Sequence, residues 1–490
     1  MAAIAGAAIL ATAALAFDRV ADSKSNDRAV PILVSDAPVR RDGKMTTSFA
    51  PVIKEVAPAV VNIFSTKTVR NAPGMMPNFD DPFRWFFGDR FRNNQLPQRP
   101  PLKERSLGSG VIVTKDGYIL TNNHVVDGAD EVKVSLNKGN QQWTAKVVGR
   151  DPKTDIAVLK IDANKLSFIT FGNSDNIEVG DVVLALGNPF GVGQTVTMGI
   201  ISAVGRGGMG IEDYEDFIQT DASINPGNSG GALVDAEGRL IGINTAILSR
   251  TGGNQGIGFA VPVNLARSVM EQLIKHGKVE RGFLGVGIQD LTPELAKQFN
   301  LPDAGGALVN DIVAGGAAEK AGIKSGDVIV ELNGKPVADS RNLKLMVGHL
   351  APGAKAEVKI LRDGKEKQLT VNLKELPGQD QASSNEPNAE SPDEILAGVG
   401  VADITPDARK QFNIPETVQG ALVTEVDPNS VAAEIGLRPG DVIQEVNRKP
   451  IKNSEDAVNA TRNVKEKKAL VRLWSQGHSR YVMVDESKQK

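Results

Sequence analysis

Cysteine is absent from the 490 residues of this chain. Its absence excludes thiol catalysis, cysteine-based zinc sites and disulfide bonds, and it fits either a reducing compartment or a thiol-free exported protein. A strong excess of one charge is also missing, since the formal net charge is −3 at pH 7. No dense run of Lys or Arg predicts binding to nucleic acid or to an anionic membrane surface. We therefore expect partners that are proteins or small molecules, and no nucleic acid.

Long hydrophobic runs are missing except at the N-terminus. Residues 2–17 form an apolar run of about the length of a signal-peptide core, too short for a comfortable membrane span. The triplet ALA at 14–16 is typical of a small-residue cleavage site. We expect a signal-like segment at 1–17, export of the protein, and an N-terminal linker at 18–47. Because no Lys or Arg precedes residue 19, an uncleaved anchor is the alternative.

Short β-branched runs separated by turn residues fill the chain from residue 60 to residue 261, as in SGVIVTKDGYILT and DVVLALG. This spacing predicts an all-β barrel or sandwich. The next stretch, VNLARSVMEQLIKHG, has helical spacing and ends at Gly277, so a helix should close a domain that we place at 48–278. One insertion at 71–101 is rich in Pro, Asn, Arg and Phe. A loop of that length is uncommon unless it is functional or disordered.

The remaining sequence is an internal repeat. DLTPELAKQFNLP at 290–302 recurs as DITPDARKQFNIP at 403–415, and AGIKSGDVI recurs as IGLRPGDVI. We place the two modules at 281–375 and 394–485. The segment between them, 376–393, is polar and acidic, and it is too poor in apolar residues to offset the entropy of ordering it. It reads as a flexible linker, so we expect the modules to move independently.

Histidine is scarce, with four residues in the chain, so there are few candidates for a general base. His276 ends the predicted helix, where a cation suits the helix dipole, and His349 and His478 lie in the repeats without an acid or nucleophile pattern nearby. His124 instead follows the strand YILT in the loop NNHVV, where a side chain can face a cleft. A lone histidine at such a position is more often structural, so its assignment depends on partners.

Two further motifs supply possible partners for His124. Asp155 lies in DPKTDIAVLK, directly before an apolar strand, and taken alone it would be a turn residue. Ser229 lies in GNSGG, where glycines allow the N–H groups of Gly227 and Ser229 to point at one position and stabilise an oxyanion. The alternative for this loop is a tight turn before a strand. The chain order His, Asp, Ser is the order of one known type of serine protease triad.

The motifs TNNHVV, DPKTDIAVLK, DASINPGNSGGALV and IGINTAIL, followed by two modules with RGFLGV and SGDVI, resemble the HtrA/Deg family of exported serine proteases. The resemblance covers residues 48–485 and is greatest to Do-type members with two PDZ domains. It implies a mainly β chain, with a chymotrypsin-like double β-barrel followed by two α+β PDZ domains. It also implies that Ser229 is the nucleophile, His124 the general base and Asp155 the acid that orients it.

The resemblance further implies binding residues in the protease domain. Gly227, Asn228 and Ser229 would line the oxyanion hole, and Ile224 and Ile247 would shape an apolar S1 pocket. Ordinary core packing is the alternative for the two isoleucines. The full set of expected substrate-binding residues is Ile224, Thr245, Ala246, Ile247 and Leu248.

RGFLGV resembles the carboxylate-binding loop of PDZ domains, which implies a loop at Phe283, Leu284, Gly285 and Val286. Successive backbone N–H groups there can form a nest for a C-terminal carboxylate, while the peptide adds a strand to the sheet edge. In the second module Ala397 takes the place of Leu284. A role in assembly is therefore as well supported for that module as ligand capture.

Nucleotide and metal chemistry is not expected. GRGGMG at 205–210 matches the dinucleotide-binding pattern, but no helix-like run follows it, and the chain has no G-K-[ST], HExxH or EF-hand pattern. The sequence therefore predicts an ATP-independent serine endopeptidase that needs no cofactor and no metal and degrades misfolded or damaged exported proteins in the periplasm. Its expected partners are unfolded polypeptides, and C-terminal or internal peptides at the PDZ domains. The alternative is a holdase chaperone or PDZ scaffold with little proteolysis.

The family resemblance also implies a homo-oligomer, a trimer or a multiple of trimers. The insertion at 71–101 occupies the position of a long regulatory loop in these relatives. It could contact a neighbouring subunit or block the cleft at rest, and a merely disordered loop is the alternative.

Overall fold

The computed structural model describes residues 31–39, 41, 48–69, 102–136, 141–188, 193–225, 227–247, 254–299, 301, 304–376, 396, 398–428, 430–462 and 468–486. The signal-like segment, the insertion at 71–101 and all but the first residue of the linker lie outside this set, so the expectations for them stay predictions. Of the helices in these ranges, none has the length and apolar character needed to cross a bilayer.

Seven antiparallel strands form the first sheet, after a helix α1 (Ala50–Val56). The strands are β1 (Val60–Val69), β2 (Leu102–Ile112), β3 (Tyr118–Thr121), β4 (Glu131–Ser135), β5 (Gln142–Thr144), β6 (Lys146–Asp151) and β7 (Ile156–Lys160). Their order is β5-β4-β1-β2-β3-β7-β6, so β5 and β6 stand at opposite edges. Only Ala145 separates these strands in the chain, and its N–H donates to Val132 O at 2.9 Å. The edges therefore meet, and the sheet curls into what we call the first barrel.

Six antiparallel strands close into a second barrel. They are β8 (Val182–Gly187), β9 (Thr195–Arg206), β10 (Phe217–Thr220), β11 (Ala232–Asp235), β12 (Leu240–Ile247) and β13 (Gly258–Pro262). The order is β10-β13-β12-β11-β8-β9, with β9 returning to β10. Apolar side chains such as Val183, Leu233 and Ile241 fill its interior. The predicted double-barrel architecture is confirmed.

Two helices of the protease domain pack against the barrels. The short helix α2 (Asn123–Val126) follows β3. Helix α3 (Val263–His276) is the helix predicted from the sequence, and it ends at Gly277, whose φ of 74° is a left-handed conformation that favours glycine. Its buried apolar face packs on β6 and β7 of the first barrel and on β12 of the second. Helix α3 therefore braces the two barrels against each other.

Two modules of one topology follow the barrels. The elements of the first module are β14 (Gly282–Phe283), β15 (Val286–Asp290), α4 (Pro293–Gln298), β16 (Ala307–Ile312), α5 (Ala317–Lys320), β17 (Val328–Leu332), β18 (Lys335–Pro336), α6 (Ser340–Gly348), β19 (Lys355–Arg362), β20 (Lys365–Asn372) and β21 (Lys374–Glu375). The main sheet runs β15-β16-β17-β19-β20, β18 pairs with β17, and β14 pairs with β21.

The second module repeats this plan. Its elements are β22 (Val399–Asp403), α7 (Pro406–Gln411), β23 (Ala421–Val426), α8 (Val431–Glu434), β24 (Val442–Val446), β25 (Lys449–Pro450), α9 (Ser454–Arg462), β26 (Lys468–Ser475) and β27 (His478–Asp485). The sheet runs β22-β23-β24-β26-β27, and β25 pairs with β24. The repeated sequence motifs thus fold into repeated sheets.

The first module lies against the barrels. Arg281, at its start, donates two hydrogen bonds to Asp151 at the end of β6, at 3.0 and 2.5 Å, and both side chains are 6% exposed. Tyr214, in the loop between β9 and β10, lies under the Arg281 guanidinium at 4.5 Å. A Cβ at Gly348, the last residue of α6, would lie 2.5 Å from the Tyr214 ring, so this close approach requires glycine. Both barrels therefore contact the module.

The two modules contact each other as well. The side-chain amide of Gln289 on β15 donates to Tyr481 O at 3.0 Å and accepts from Tyr481 N at 2.7 Å, on β27. The rings of Phe299 and Tyr481 meet edge-on at 5.6 Å within an apolar cluster that both modules share. This differs from the expectation of independent modules. The composition of a linker describes the linker alone and not the surfaces of the domains that it joins.

Candidate active site

His124 and Asp155 are directly bonded. His124 lies on α2, and its Nδ1 is 2.7 Å from Asp155 Oδ2, while its backbone N–H donates to Asp155 Oδ1 at 2.9 Å. A carboxylate at this distance requires the proton on Nδ1 of the neutral ring. Nε2 then carries the lone pair, as a general base needs.

Asp155 lies in the turn between β6 and β7 with φ at 54°, a left-handed conformation that is uncommon for a residue other than glycine. The turn is held because Asp155 O accepts hydrogen bonds from Asn122 Nδ2 at 3.0 Å and from Asn123 N at 3.1 Å. The Asp155 Oδ2 atom also accepts from Thr245 Oγ1 at 2.6 Å. Its buried carboxylate is therefore fixed by donors from both barrels, and such backbone strain is typical of functional sites.

Ser229 lies in the turn before β11, where the second barrel meets the first. Its Oγ donates to Thr245 O at 3.2 Å, so Thr245 contacts both the serine through its carbonyl and Asp155 through its hydroxyl. The next residue, Gly230, has φ at 82°, and a Cβ there would lie 2.1 Å from Ser109 O. Glycine is required at 230 because the turn presses directly on β2. The structure thus brings the three predicted catalytic residues to one place between the barrels.

The backbone of the turn offers two donors. Within the described residues, the N–H groups of Gly227 and Ser229 donate to no protein acceptor, whereas the N–H of Asn228 donates to Asn225 O at 3.0 Å. Of the three residues expected to line the oxyanion hole, Gly227 and Ser229 thus have N–H groups available to a substrate oxygen, and the assignment stays a prediction. Asn228 closes the turn instead.

The expected S1 residues lie inside the second barrel. Ile224 and Ile247 are 1% and 2% exposed and belong to its apolar cluster, and Thr245 and Ala246 lie beside them on β12. Leu248 lies outside the described residues. This packing is what the core-packing alternative also predicts, so the S1 assignment stays a prediction.

The predicted carboxylate loop lies at the start of the first module. Phe283 pairs with β21, Leu284 is buried, Gly285 has φ at 77°, and Val286 begins β15. Strand β15 is the end strand of its sheet, and α6 packs beside it, so its outer edge is where an added peptide strand would pair. In the second module, Gly398 has the corresponding φ of 81°, and Ala397 lies outside the described residues.

The acidic loop between β9 and β10 of the second barrel contacts the first module. Glu215 is buried and accepts backbone N–H bonds from Met209 at 2.7 Å, Ile211 at 2.5 Å and Glu212 at 3.1 Å, which organises the loop. Burial raises the pKa of Glu212 to about 9, and the charge of Asp155 contributes to the rise. Glu212 therefore holds a proton at neutral pH close to Asp155. Within the described residues, no cluster of acidic and histidine side chains could hold a metal ion.

The sequence names Thr245 for substrate binding and gives no sign of the bond from its hydroxyl to Asp155 Oδ2 at 2.6 Å. The side chain that sequence reasoning missed altogether is Ser109 on β2, whose hydroxyl donates to Gly227 O at 2.6 Å. Ser109 lies between two glycines in the sequence GSG, the same kind of signal that singled out Ser229. That similarity could have pointed to it.

Comparison with known families agrees with this architecture. The sequence matches the family model of a trypsin-like peptidase domain over residues 108–243. It matches family models of a PDZ domain over residues 282–373 and again over residues 422–474. Both modules are therefore PDZ domains.

Curated relatives match most of the chain. A probable DegP-like periplasmic serine endoprotease from Chlamydia trachomatis is 43% identical over 446 residues, which are 89% of this chain and 87% of the relative. The periplasmic serine endoprotease DegP of Salmonella typhimurium is 43% identical over 426 residues, 83% of this chain and 85% of the relative. These matches do not favour the alternative of a chaperone or scaffold with little proteolysis.

A solved structure of the HtrA-type protease AlgW with a decapeptide is also similar, with 47% identity and a TM-score of 0.55, covering 68% of this chain and all of that one (100%). AlgW with a tripeptide gives a TM-score of 0.56 at 47% identity, with 68% and 98% covered. Sequence, domain order and fold agree over the ranges that these comparisons cover. The chain belongs to the HtrA family of DegP-like periplasmic serine endoproteases, and it is a serine endopeptidase with two PDZ domains.

Proposed function

We propose that this endopeptidase degrades misfolded or damaged exported proteins in the periplasm, using Ser229 as nucleophile, His124 as general base and Asp155 as the orienting acid. The observation that supports the assignment most is the bonding of Asp155. Its carboxylate accepts from His124 Nδ1 at 2.7 Å and from Thr245 Oγ1 at 2.6 Å, and Thr245 O accepts from Ser229 Oγ at 3.2 Å. The periplasmic location is supported by the relatives named above.

In the proposed reaction, Ser229 Oγ leaves the carbonyl of Thr245 and attacks the scissile carbonyl carbon, while His124 Nε2 takes its proton. Asp155 stabilises the imidazolium that forms, and the N–H groups of Gly227 and Ser229 donate to the oxyanion. The imidazolium then gives its proton to the leaving amine. Water, activated by the same histidine, hydrolyses the acyl-enzyme and restores Ser229.

We propose that Ile224 and Ile247 form the wall of an apolar S1 pocket, with Leu248 and the β12 residues Thr245 and Ala246 lining the path of the substrate backbone. This wall favours aliphatic side chains with modest discrimination, because one methylene is worth only ~1–3 kcal/mol. An unfolded segment can lie along a cleft lined by these residues, whereas a folded one cannot. The enzyme therefore selects misfolded proteins by their exposed, extended segments, and this selection requires no ATP.

We propose that the first PDZ domain binds C-terminal or internal peptides, with their carboxylate in the loop at 283–286. The position of β15 at the edge of its sheet, beside α6, supports this, as do the peptides in the AlgW structures. We further propose assembly into trimers or their multiples, and domains at 48–278, 281–375 and 394–485. The family resemblance supports assembly, and the matched ranges support the domains.

Degradation of unfolded casein tests the function. We expect the unaltered protein to degrade it and Ser229→Ala to stop degradation while still suppressing aggregation if the binding role is separate. Ser202→Ala, on β9, removes a half-buried serine hydroxyl away from the turn and should leave degradation unchanged. Undiminished degradation by Ser229→Ala would show that the nucleophile assignment is wrong.

A further inference from the structure

Ser109 makes hydrogen bonds to both ends of the turn that carries the nucleophile. Its hydroxyl donates to Gly227 O at 2.6 Å, and its backbone N–H donates to Ser229 O at 2.8 Å. The residue is fully buried on β2 of the first barrel, more than a hundred positions before the turn in sequence. These bonds join the first barrel to the backbone of the turn at two points.

The hydroxyl of Ser109 has one possible orientation. It accepts from Asn188 N at 2.8 Å, so its own proton must go to Gly227 O. The carbonyl of Ser109 accepts from Thr121 Oγ1 at 2.7 Å, which holds the strand in place. A buried hydroxyl whose donor and acceptor roles are both used is a rigid connector and not an adjustable one.

The turn needs such a connector because glycine gives it little rigidity of its own. Gly227 has φ at 98° and Gly230 has φ at 82°, and glycine can leave such conformations easily. Stabilisation of an oxyanion depends on donors that are already oriented before charge develops. Fixing the carbonyl of Gly227 on one side and that of Ser229 on the other limits rotation of the Asn228–Ser229 peptide plane between them, which carries the Ser229 N–H.

We propose that Ser109 is a positioning residue for the oxyanion-stabilising turn. Its hydroxyl and backbone N–H hold the carbonyls of Gly227 and Ser229, which lie on either side of the Asn228–Ser229 peptide, and so fix the direction of the Ser229 N–H and the end of the Gly227 residue next to it. Ser109 does not touch substrate and acts through the turn. The inference rests on the proposed function of Ser229.

Ser109→Ala tests it in the full-length protein. We expect kcat for a peptide substrate to fall about 10- to 100-fold at little changed KM, which is less than the ~10²–10³-fold loss that follows removal of a direct oxyanion donor. Affinity for a peptide boronate, whose tetrahedral adduct forms on the nucleophile, should fall with kcat. Ser109→Cys keeps the branching of the side chain and replaces the hydroxyl by a slightly larger and weaker donor, and we expect an intermediate loss.

Thr114→Val is the matched control. Thr114 is a buried hydroxyl in the same barrel that accepts from Tyr118 N at 3.0 Å, away from the turn. We expect this variant to lower the melting temperature as Ser109→Ala does, and to leave kcat and boronate affinity unchanged. Unaltered kcat and boronate affinity in both Ser109 variants would overturn the proposal, whatever their melting temperatures.

Two other results separate the possible failures. If Ser109→Ala does not fold, the comparison of Ser109→Cys with Thr114→Val decides the same question. If the unaltered protein binds no boronate at all, the proposed role of Ser229 fails. A protein that binds boronate equally well with and without the Ser109 hydroxyl keeps its nucleophile and loses only this inference.

Discussion

The first barrel and the second barrel contribute to the active site in different ways. The first barrel supplies His124 and Asp155, which are joined by a 2.7 Å contact and by bonds between α2 and the turn before β7. The second barrel supplies Ser229 in a turn made largely of glycine. That turn takes two of its hydrogen bonds from Ser109 of the first barrel.

The two halves differ in how far each depends on the other barrel. The proposed acid and base are bonded to each other and to the Asn122–Asn123 segment within the first barrel, with one further bond to Asp155 from Thr245 of the second barrel. The turn of the proposed nucleophile has bonds within the second barrel as well, but two of its carbonyls are held by Ser109 of the first barrel, so its geometry depends more on how the barrels pack. Variants at the two halves should therefore differ in what they disturb.

The largest effect is expected from Asp155→Asn in the half of the site that the first barrel supplies. The amide cannot hold His124 in the tautomer that leaves Nε2 free, and loss of that tautomer lowers kcat about 10⁴-fold in a triad of this type. The measurement is kcat for a peptide substrate as a function of pH. Asp162→Asn, which changes a fully exposed carboxylate (103% side-chain exposure), should leave kcat unchanged. A loss of less than tenfold for Asp155→Asn would contradict the assignment.

A smaller effect, on the free energy of unfolding, is expected from Arg281→Ala, which removes a contact between the first barrel and the first PDZ domain. Asp151 is held by Arg281 of the first PDZ domain, with both side chains 6% exposed. Arg281→Ala leaves a buried carboxylate unpaired, so we expect the free energy of unfolding to fall by about 3–5 kcal/mol. Chemical denaturation measures it. The double variant with Asp151→Ala should regain part of the loss, and no recovery at all would mean that the pair does not interact as described.

Thr245→Val sharpens the comparison, because Thr245 is the residue through which the second barrel reaches Asp155. The variant keeps the shape and loses the 2.6 Å bond from Oγ1 to Asp155 Oδ2. We expect kcat to fall about tenfold, or about 1.4 kcal/mol, since a hydrogen bond to a charged group is lost and the His124 bond remains. Thr220→Val removes a hydroxyl that donates to Ile200 O at 2.7 Å in the same barrel and should not change kcat. Equal kcat values for all three proteins would argue against a role for Thr245.

The smallest effect concerns Glu212, in the second-barrel loop near Asp155. Its pKa of about 9, against an ordinary value of 4.5, means that the folded protein binds this proton more tightly than the unfolded chain. The contribution to stability is therefore complete below pH about 4.5 and is lost as the pH rises toward 9. We therefore expect the melting temperature to fall as the pH rises from 6 to 9. Glu212→Gln should reduce this fall by on the order of a few degrees. Glu55→Gln changes an exposed carboxylate and should leave the decline in place, and an unchanged decline in Glu212→Gln would contradict the pKa.

The sequence predicted those parts of the molecule that depend on short stretches of chain. His124 and Asp155 lie next to apolar strands in TNNHVV and DPKTDIAVLK, and Ser229 lies among glycines in GNSGG, so short motifs marked each of them, although their catalytic roles stay predictions. Helix α3 ends at Gly277 as its spacing predicts. The repeats likewise predicted two sheets of one topology.

The missed features depend on residues far apart in the chain. Arg281 and Asp151 are 130 positions apart, and Gln289 and Tyr481 are 192 apart. No short sequence motif indicates either pair, because each contact forms only when the folded domains pack against each other. Ser109 is an intermediate case, since its two neighbouring glycines were visible and its partners were not.

Reaction of the intact protein with a fluorophosphonate, followed by peptide mass spectrometry, tests the central claim most directly. The claim is that folding unites Ser229 of the second barrel with His124 and Asp155 of the first. It predicts one modified residue, Ser229, and no detectable modification after His124→Ala over the same time. Modification of a different serine, together with peptide cleavage that survives Ser229→Ala, would contradict it.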